Sequence, residues 1–308
     1  MINRTLIRLI IVQLLYAYRM NGGRTVEGVV KELLLSLTKA YDLYNYLLLL
    51  MVDITRTADE AVNEQKERNM LAHIDTPVST RFVENRFIAQ LASNTQLMSY
   101  VESRKLSWAD DRKLLRKLYD SITETVDYAA YMVKETVSYD DDRNLWKKLY
   151  SNVIAKSADV DETLENKSIY WNDDRGVVDT FVLRTIKMFD EKSDADTQLV
   201  PQFRYTNDQD FAVQLMRKAI EEGAYCQSLI KESAKNWEFE RLADMDVVIM
   251  QVALAEVISF PDIPVSVTIN EYVEAAKYYS TQKSYMYING ILDNVTKQLQ
   301  KEHKILKK

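Results

Sequence analysis

Residues 241–299, RLADMDVVIMQVALAEVISFPDIPVSVTINEYVEAAKYYSTQKSYMYINGILDNVTKQL, decide the fold of this chain. Between residues 246 and 260 only four side chains are polar, so a helix there has almost no face to offer to water. These four are Asp246, Gln251, Glu256 and Ser259. We therefore predict a helix that is buried on all sides, which requires other helices packed around it.

Three features after this segment predict two further helices. Pro261 and Pro264 lack an amide donor and disfavour helical geometry in the preceding residue, so the chain must turn there. Thr268 followed by Glu271 fits a capping box, in which side chains satisfy the free amides at a helix start. Gly290 lies in an apolar helical pattern, where a glycine costs about 1 kcal/mol against alanine. Such a glycine usually marks close approach of another backbone, so we predict a close helix contact at Gly290.

This order of features resembles the C-terminal core of the NusB family. That family comprises all-helical transcription antitermination and ribosomal-RNA processing factors, so the resemblance implies a helical fold and a role in transcription. Gln251 and Ser266 stand where the family often carries basic residues. The matching positions are Ala253, Leu254, Glu256, Asp262, Ile263, Pro264, Val265, Ile269, Asn270, Glu271, Ala276, Lys277, Ser284, Asn289, Gly290, Leu292 and Asp293.

Composition indicates a helical protein without a disulfide. The 308 residues can bury a large core or form two domains, and six glycines and four prolines are few for this length. That scarcity favours long helices over a turn-rich sheet protein. Cys226 is the only cysteine, so we expect a reducing, cytoplasmic location. The apolar runs are shorter than the roughly 20 residues that span a bilayer, so we expect no membrane partner.

Charge is distributed unevenly along the chain. The net charge of −6 argues against a uniformly basic nucleic-acid binder. Residues 1–26 hold four arginines and no acid, and residues 294–308 hold five lysines against one glutamate, so each end carries +4. The lysine tail is as well explained by a solvated terminus. The N-terminal arginines are of more interest, because they lie in a stretch, residues 11–16, that resembles the first helix of NusB.

Helical periodicity divides the chain into segments. We predict a helix from Arg4 to Tyr18, stopped at Asn21-Gly22-Gly23, and helices at 26–41, 42–63 and 208–235. The expected fold is all-α, with NusB-like helical bundles and an inserted helical region. Its expected parts are N-terminal NusB-like helices (1–60), a helical insertion of unknown role (61–205), a NusB-like C-terminal core (206–300) and a basic tail (301–308).

A weak repeat runs through the insertion. Asp-Asp-Arg begins at residues 110, 141 and 173, at intervals of 31 and 32 residues. A helical solenoid would give such a period. The simpler interpretation is that aspartates sit at helix starts, where they suit the positive end of the dipole. Metal binding by these pairs is the weakest interpretation, because no other ligand converges on them in sequence.

Sequence signatures of enzymes are missing. His73 and His303 are the only histidines, and with a single cysteine they do not indicate zinc or Cys/His catalysis. Gly22-Gly23 is followed by neither a dinucleotide fingerprint nor a P-loop. We therefore expect no enzyme activity and no cofactor.

The chemistry that the sequence supports is RNA binding by tyrosine and basic side chains. Tyrosine rings stack on unpaired bases, although tyrosines packed between helices give the same pattern. The NusB resemblance implies that boxA-like single-stranded RNA lies across the first helix and the loop before the last one. Lys283 and Tyr287 replace family residues that are usually acidic and phenylalanine. The residues that the resemblance assigns to RNA are Arg4, Arg8, Tyr16, Lys283, Ser284, Tyr287 and Asn289.

The resemblance also implies protein partners. They are NusE, a small-subunit ribosomal protein that would face Asp246, and the RNA polymerase antitermination complex. One alternative is a NusB-like interaction module without RNA binding, favoured by a basic arm in which Thr5 and Leu6 replace arginines. Another is the NusB-like domain that precedes the catalytic domain of some ribosomal-RNA methyltransferases. Because the chain ends near the last NusB-like helix, we expect no methyl-donor domain after it.

Overall fold

The computed structural model describes residues 1–22, 25–171, 175–234, 242–281 and 284–305. Across these ranges the structure is helical, with one isolated β-bridge between Ile2 and Phe203, so the predicted all-α class is confirmed. A 3-10 helix (Ala109–Asp111) and a π-helix (Tyr150–Ile154) accompany the α-helices. The α-helices are α1 (Arg4–Asn21), α2 (Val26–Leu71), α3 (Arg86–Ser93), α4 (Thr95–Arg104), α5 (Arg112–Thr123), α6 (Val126–Met132), α7 (Tyr139–Leu149), α8 (Ala158–Lys167), α9 (Arg175–Met188), α10 (Asp208–Glu221), α11 (Gly223–Ser233), α12 (Asp244–Ser259), α13 (Val265–Tyr279) and α14 (Ser284–Lys301). None of the helices in the described ranges has both the length and the apolar character that a membrane span requires.

The helices form two compact units. The first contains Met1 and residues 39–202, and the second contains residues 2–38 and 203–308. The second unit therefore joins α1 to α10–α14 from two distant stretches of sequence. Residues 39–60, which the sequence analysis placed with the N-terminal NusB-like helices, belong to the unit that contains the insertion.

Helix α12 is the centre of the second unit. Its residues from Asp246 to Val257 are all buried, and α1, α10, α11, α13 and α14 pack against it. Each large aliphatic side chain buried in this way stabilises the fold by about 1.5–3 kcal/mol. The predicted helix without a water-facing side is confirmed.

The corner after α12 is confirmed, but the capping box is not. Helix α12 ends at Ser259, and α13 begins at Val265 with Pro264 at its N-cap. Thr268 is buried inside α13, and its hydroxyl donates to Oε1 of Glu256 at 2.7 Å. The threonine therefore serves a carboxylate on a neighbouring helix, a contact that a local capping pattern does not reveal.

The close approach predicted at Gly290 occurs instead at Gly223. Gly290 is exposed, and a Cβ placed there meets nothing within 4 Å. A Cβ on Gly223 would lie 2.8 Å from Nε2 of Gln251, which donates to the carbonyl of Ala219 at 2.7 Å. Gly223 is also the first residue of α11, so the single helix predicted over residues 208–235 is in fact two helices.

The two helices predicted over residues 26–63 are one helix, α2, which continues to Leu71. Asp42, which suggested a helix start, is buried inside α2 and accepts hydrogen bonds from three groups. These are the Tyr100 hydroxyl and both Nε and Nη2 of Arg104, each at 2.8 Å. The aspartate is an acceptor for a distant arginine, and local sequence does not distinguish this role from a cap.

The described aspartates of the Asp-Asp-Arg repeat lie at helix starts, as the simpler interpretation predicted. Asp110 and Asp111 form the 3-10 helix that leads into α5. Asp141 completes a capping box with Ser138 in the first turn of α7. The pair at 173–174 lies outside the described residues.

Candidate functional site

The candidate site lies where α1 meets the end of α13, which is followed by the start of α14. Nε2 of Gln13 donates to the hydroxyl of Tyr279 at 2.9 Å, which ties α1 to the last turn of α13. Tyr16 is one turn farther along α1 and on the same face, because residues three apart on a helix are neighbours. Its side chain is half-buried, so part of the ring is open to a ligand beside this contact.

Ser284 organises the start of α14 from a buried position. Its Oγ donates to Oδ2 of Asp246 in α12 at 3.1 Å. The same oxygen accepts from the hydroxyls of Ser280 at 2.8 Å and Tyr287 at 3.2 Å. Ser284 and Asp246 are each 1% exposed. The predictions that Ser284 contacts RNA and that Asp246 faces a protein partner are therefore not compatible with their burial; both side chains position Tyr287.

The carboxyl of Asp246 is held in an unfavourable environment for its charge. Burial raises its pKa, and the hydroxyls of Ser280 and Ser284 offset only part of that increase. Within the described ranges Oδ1 has no hydrogen-bond partner. A buried polar atom without a partner costs about 1–3 kcal/mol, so this carboxyl group lies in the core at the expense of stability.

Several side chains around Ser284 are open to solvent. Tyr287 is half-buried, Asn289 is exposed, and Tyr278 is 78% exposed. Nζ of Lys277 lies 5.6 Å from the ring centroid of Tyr285, which places a cation beside these rings. Lys283, which the sequence analysis assigned to RNA, lies outside the described residues.

Arg8 is buried and forms a structural ion pair, which corrects its assignment to RNA. Its Nε and Nη2 donate to Glu256 at 2.8 and 2.9 Å, and Nη1 lies 3.3 Å from Glu271. Burial by itself lowers the pKa of Arg8, but the hydrogen bond and charge of Glu256 outweigh it and raise the pKa overall. Removing one partner from such a pair costs about 3–5 kcal/mol, so Arg8 is not available to a phosphate.

The other arginines of α1 differ in how firmly they are held. Nε of Arg4 pairs with Oδ1 of the fully buried Asp208 at 3.1 Å. Arg19, which the sequence analysis did not assign to the site, pairs with the exposed Asp244 at 3.1 Å. Exposed pairs are worth about 0–1 kcal/mol, so Arg19 can exchange its partner for a phosphate at little cost. Its spacing of three residues from Tyr16 is the signal that could have identified it.

The unit formed by residues 39–202 contains a separate cavity of about 460 Å³ beside the loop before α3. Nε of Arg86 donates to the buried Asp142 at 2.7 Å. Nη1 of Arg81 donates to carbonyls at the end of α6, including that of Met132 at 2.8 Å. Both cations are thus engaged by the protein itself, and we assign no ligand to this cavity. Across the described residues no group of three or more His, Cys, Asp or Glu side chains is arranged to hold a metal ion.

Residues 187–297 match the model of the NusB family. The transcription antitermination protein NusB of Natranaerobius thermophilus is 49% identical over 72 residues, covering 23% of this chain and 52% of that protein. NusB of Finegoldia magna is 38% identical over 109 residues, covering 34% of this chain and 80% of that protein. NusB of Thermodesulfovibrio yellowstonii is 42% identical over 88 residues, covering 29% and 58%.

The chain spans between about half and four fifths of the lengths of these relatives. The family match includes α10–α13 and α14 up to residue 297, and it leaves α1 outside. Among solved structures, T. maritima NusB (P3121, form 2) is similar with a TM-score of 0.29 and 28% identity, over 40% of this chain and 78% of that one. A TM-score this low supports no conclusion about the fold.

Proposed function

This chain belongs to the NusB family, and from that premise we propose that it is an RNA-binding transcription antitermination factor. Its relatives are named transcription antitermination proteins. The family match contains α12, α13 and the start of α14, which carry most of the candidate site. The proposed role is binding and assembly, without catalysis and without a cofactor.

The observation that carries this proposal is the grouping of accessible rings at the ends of α1, α13 and α14. Tyr16 lies on the face of α1 from which Gln13 donates to Tyr279. The hydroxyl of Tyr287 donates to the hydroxyl of Ser284. Each base stacked on such a ring contributes about 1–3 kcal/mol of affinity. Unpaired bases also present hydrogen-bonding edges, for which the exposed amide of Asn289 is suited. Single-stranded RNA is the ligand that this combination favours.

The basic side chains of the proposed RNA surface differ from those predicted from sequence. We omit Arg8, which is buried, and Arg4, whose charge is neutralised by Asp208. Arg19 and Lys277 take their place, because the acid that each pairs with in the described part of the chain is exposed, Asp244 for Arg19 and Glu274 for Lys277. An RNA phosphate can replace either partner with little loss of stability.

The proposed mechanism is simultaneous capture of a boxA-like RNA and of NusE within an RNA polymerase antitermination complex. When two ligands bind one protein and contact each other, the affinity gained by one is gained equally by the other. Joining the two sites on one rigid unit also raises the effective concentration of the second ligand. We therefore expect RNA binding to be tighter when NusE is present.

One observation favours the alternative of an interaction module without RNA binding. Both Arg4 and Arg8 are paired with acidic groups inside the protein, so the first turns of α1 offer no free cation in the described residues. A module of this kind would bind NusE but would not distinguish a boxA-like RNA from a scrambled one.

Fluorescence anisotropy with the full chain separates these two functions. We expect boxA-like RNA to bind more tightly than scrambled RNA, and more tightly again with NusE. Affinity should fall steeply as salt rises, because phosphate contacts release counterions. Equal affinity for the two RNAs, with and without NusE, would exclude RNA recognition and favour the interaction module.

A further inference from the structure

A groove of about 500 Å³ lies at the N-terminal ends of α1 and α10, beside the corner between α12 and α13. Its lining includes the rings of Phe211 and Phe260, whose centroids are 5.1 Å apart at an interplanar angle of 66°. The edge-to-face packing of these rings joins α10 to the end of α12. Polar side chains line the rim, namely Asn207, Asp210, Gln214, Ser259 and Asp262.

The local sequence explains why this groove is open and rigid. Asn207, Asp210 and Gln214 are three and four residues apart around the first turns of α10, so they share one face of that helix. Pro261 and Pro264 prevent α12 from continuing across the groove. The fixed backbone angle of each proline also limits movement of the opposite wall.

The groove carries an unbalanced negative charge. Among the described residues that line it, the one cation is Arg4, which pairs with the buried Asp208 and whose guanidinium lies 4.5 Å from the centroid of Phe211. Asp210 and Asp262 are both exposed. Among the described residues neither carboxylate has an ion pair or a side-chain hydrogen bond. The resulting field attracts cations and repels phosphates.

The rim offers further hydrogen-bonding groups to a ligand. In the described ranges the side chains of Asn207, Gln214 and Ser259 make no hydrogen bond with the protein. Amide and hydroxyl groups in this state can bind the backbone of an extended peptide. The aromatic rings, the acidic rim and the amide groups together complement a peptide with basic side chains.

We propose that this groove binds a segment of a partner protein that carries an exposed arginine or lysine. The cation packs against Phe260, as Arg4 already packs against Phe211, and faces the carboxylates of Asp210 and Asp262. Asn207 and Gln214 bind the adjoining backbone. The proposal does not depend on RNA binding, because no residue of the groove belongs to the proposed RNA surface.

The test uses the full chain and a labelled peptide, Gly-Arg-Gly-Arg-Gly, with its Gly-Gln-Gly-Gln-Gly counterpart as control. We expect the arginine peptide alone to bind. The double variant Asp210→Asn/Asp262→Asn should weaken its binding about tenfold or more, a loss that corresponds to about 1.4 kcal/mol. Glu232→Gln is the matched control, because Glu232 is an exposed acid of α11 outside the groove, and it should leave the affinity unchanged.

Equal binding of the two peptides, or an equal loss in the Glu232→Gln variant, would overturn the proposal. Thermal melts show whether the double variant is folded. A second measurement does not require the double variant. With p-benzoylphenylalanine in place of the exposed Gln214, and with Asp210 and Asp262 unchanged, irradiation should crosslink the arginine peptide to the groove. Crosslinking of an RNA oligonucleotide at this position, and not of the peptide, would contradict a protein ligand. RNA affinity measured by anisotropy tests the proposed function separately.

Discussion

The guanidinium of Arg8 and the carboxylate of Glu256 form a two-point ion pair in the interior, although 248 residues separate them in sequence. Thr268 and Tyr272 donate to the same carboxylate at 2.7 and 3.1 Å. Four side chains thus join α1, α12 and α13 through directional bonds. In an otherwise apolar core, such a network fixes how α1 is oriented on the other two helices.

Substitution of Glu256→Gln should destabilise the protein strongly. The variant leaves Arg8 buried with only the longer contact to the half-buried Glu271, and breaking a buried pair costs about 3–5 kcal/mol. Urea unfolding followed by circular dichroism measures this as a lower midpoint with little change in slope. Exposed Glu274→Gln on α13 is the matched control and should change stability by less than about 1 kcal/mol. Equal midpoints for the two variants would contradict the role assigned to Glu256.

Substitution of Gly223→Ala should cost about 1–3 kcal/mol, because the new methyl group would meet Nε2 of Gln251 at 2.8 Å. Gln251 cannot move away freely, since it is bonded to the carbonyl of Ala219. Gly290→Ala is the control in α14, where nothing lies within 4 Å. It should raise stability by about 0.5–1 kcal/mol through helix propensity. Thermal melts that shift in the same direction for both variants would exclude this difference in packing.

Substitution of Tyr287→Ala or Tyr16→Ala should lower RNA affinity by about 1–3 kcal/mol with a small change in stability, because both rings are partly exposed. Tyr272→Ala is the control for a core tyrosine, since its ring is fully buried. It should cost roughly 3–5 kcal/mol of folding stability instead. Anisotropy and thermal melts on the same samples separate the two effects. Early melting of the Tyr16 and Tyr287 variants with normal RNA affinity would remove both residues from the proposed RNA surface.

The Asp246→Asn variant should lose part of the pH dependence of stability. The pKa of Asp246 is raised in the folded state, so the folded protein binds its proton more tightly than the unfolded chain does. Its contribution to stability is full below the unfolded pKa of about 3.9 and is lost as pH rises through the folded value. At neutral pH the variant should be more stable than the wild type, and the difference should shrink as the pH falls towards about 3.9. Urea titrations across this pH range measure the difference, and a variant less stable at neutral pH would contradict this prediction.

The spacing of apolar residues along the sequence predicted the fold class and the central helix well. The sequence of α12 has almost no polar face, and burial on all sides follows directly from that composition. The proline corner was equally predictable, because proline restricts the backbone wherever it occurs. Errors arose where one residue type has both a local role and a distant one. Asp42 and Thr268 resemble caps in sequence, but each serves a partner on another helix.

The candidate site was predicted less completely, for a related reason. A resemblance transfers residue types to positions, and three of the residues that it assigned to RNA, Tyr16, Tyr287 and Asn289, are accessible to solvent. It could not show that Arg8 faces inward, because the acid that neutralises it is distant in sequence. Burial and partners depend on packing between segments, so these properties required the folded structure.

The second unit is built from residues 2–38 and 203–308, so its two parts are synthesised at different times. Arg8 leaves the ribosome long before Glu256 exists, and at about 5–20 residues per second the 248 intervening residues take roughly 12–50 s. Until α10 has been synthesised, α1 lacks the helices α10, α12 and α13 that pack against it in the folded unit. We therefore expect ribosome-bound fragments that stop before α10 to recruit chaperones through the uncovered face of α1.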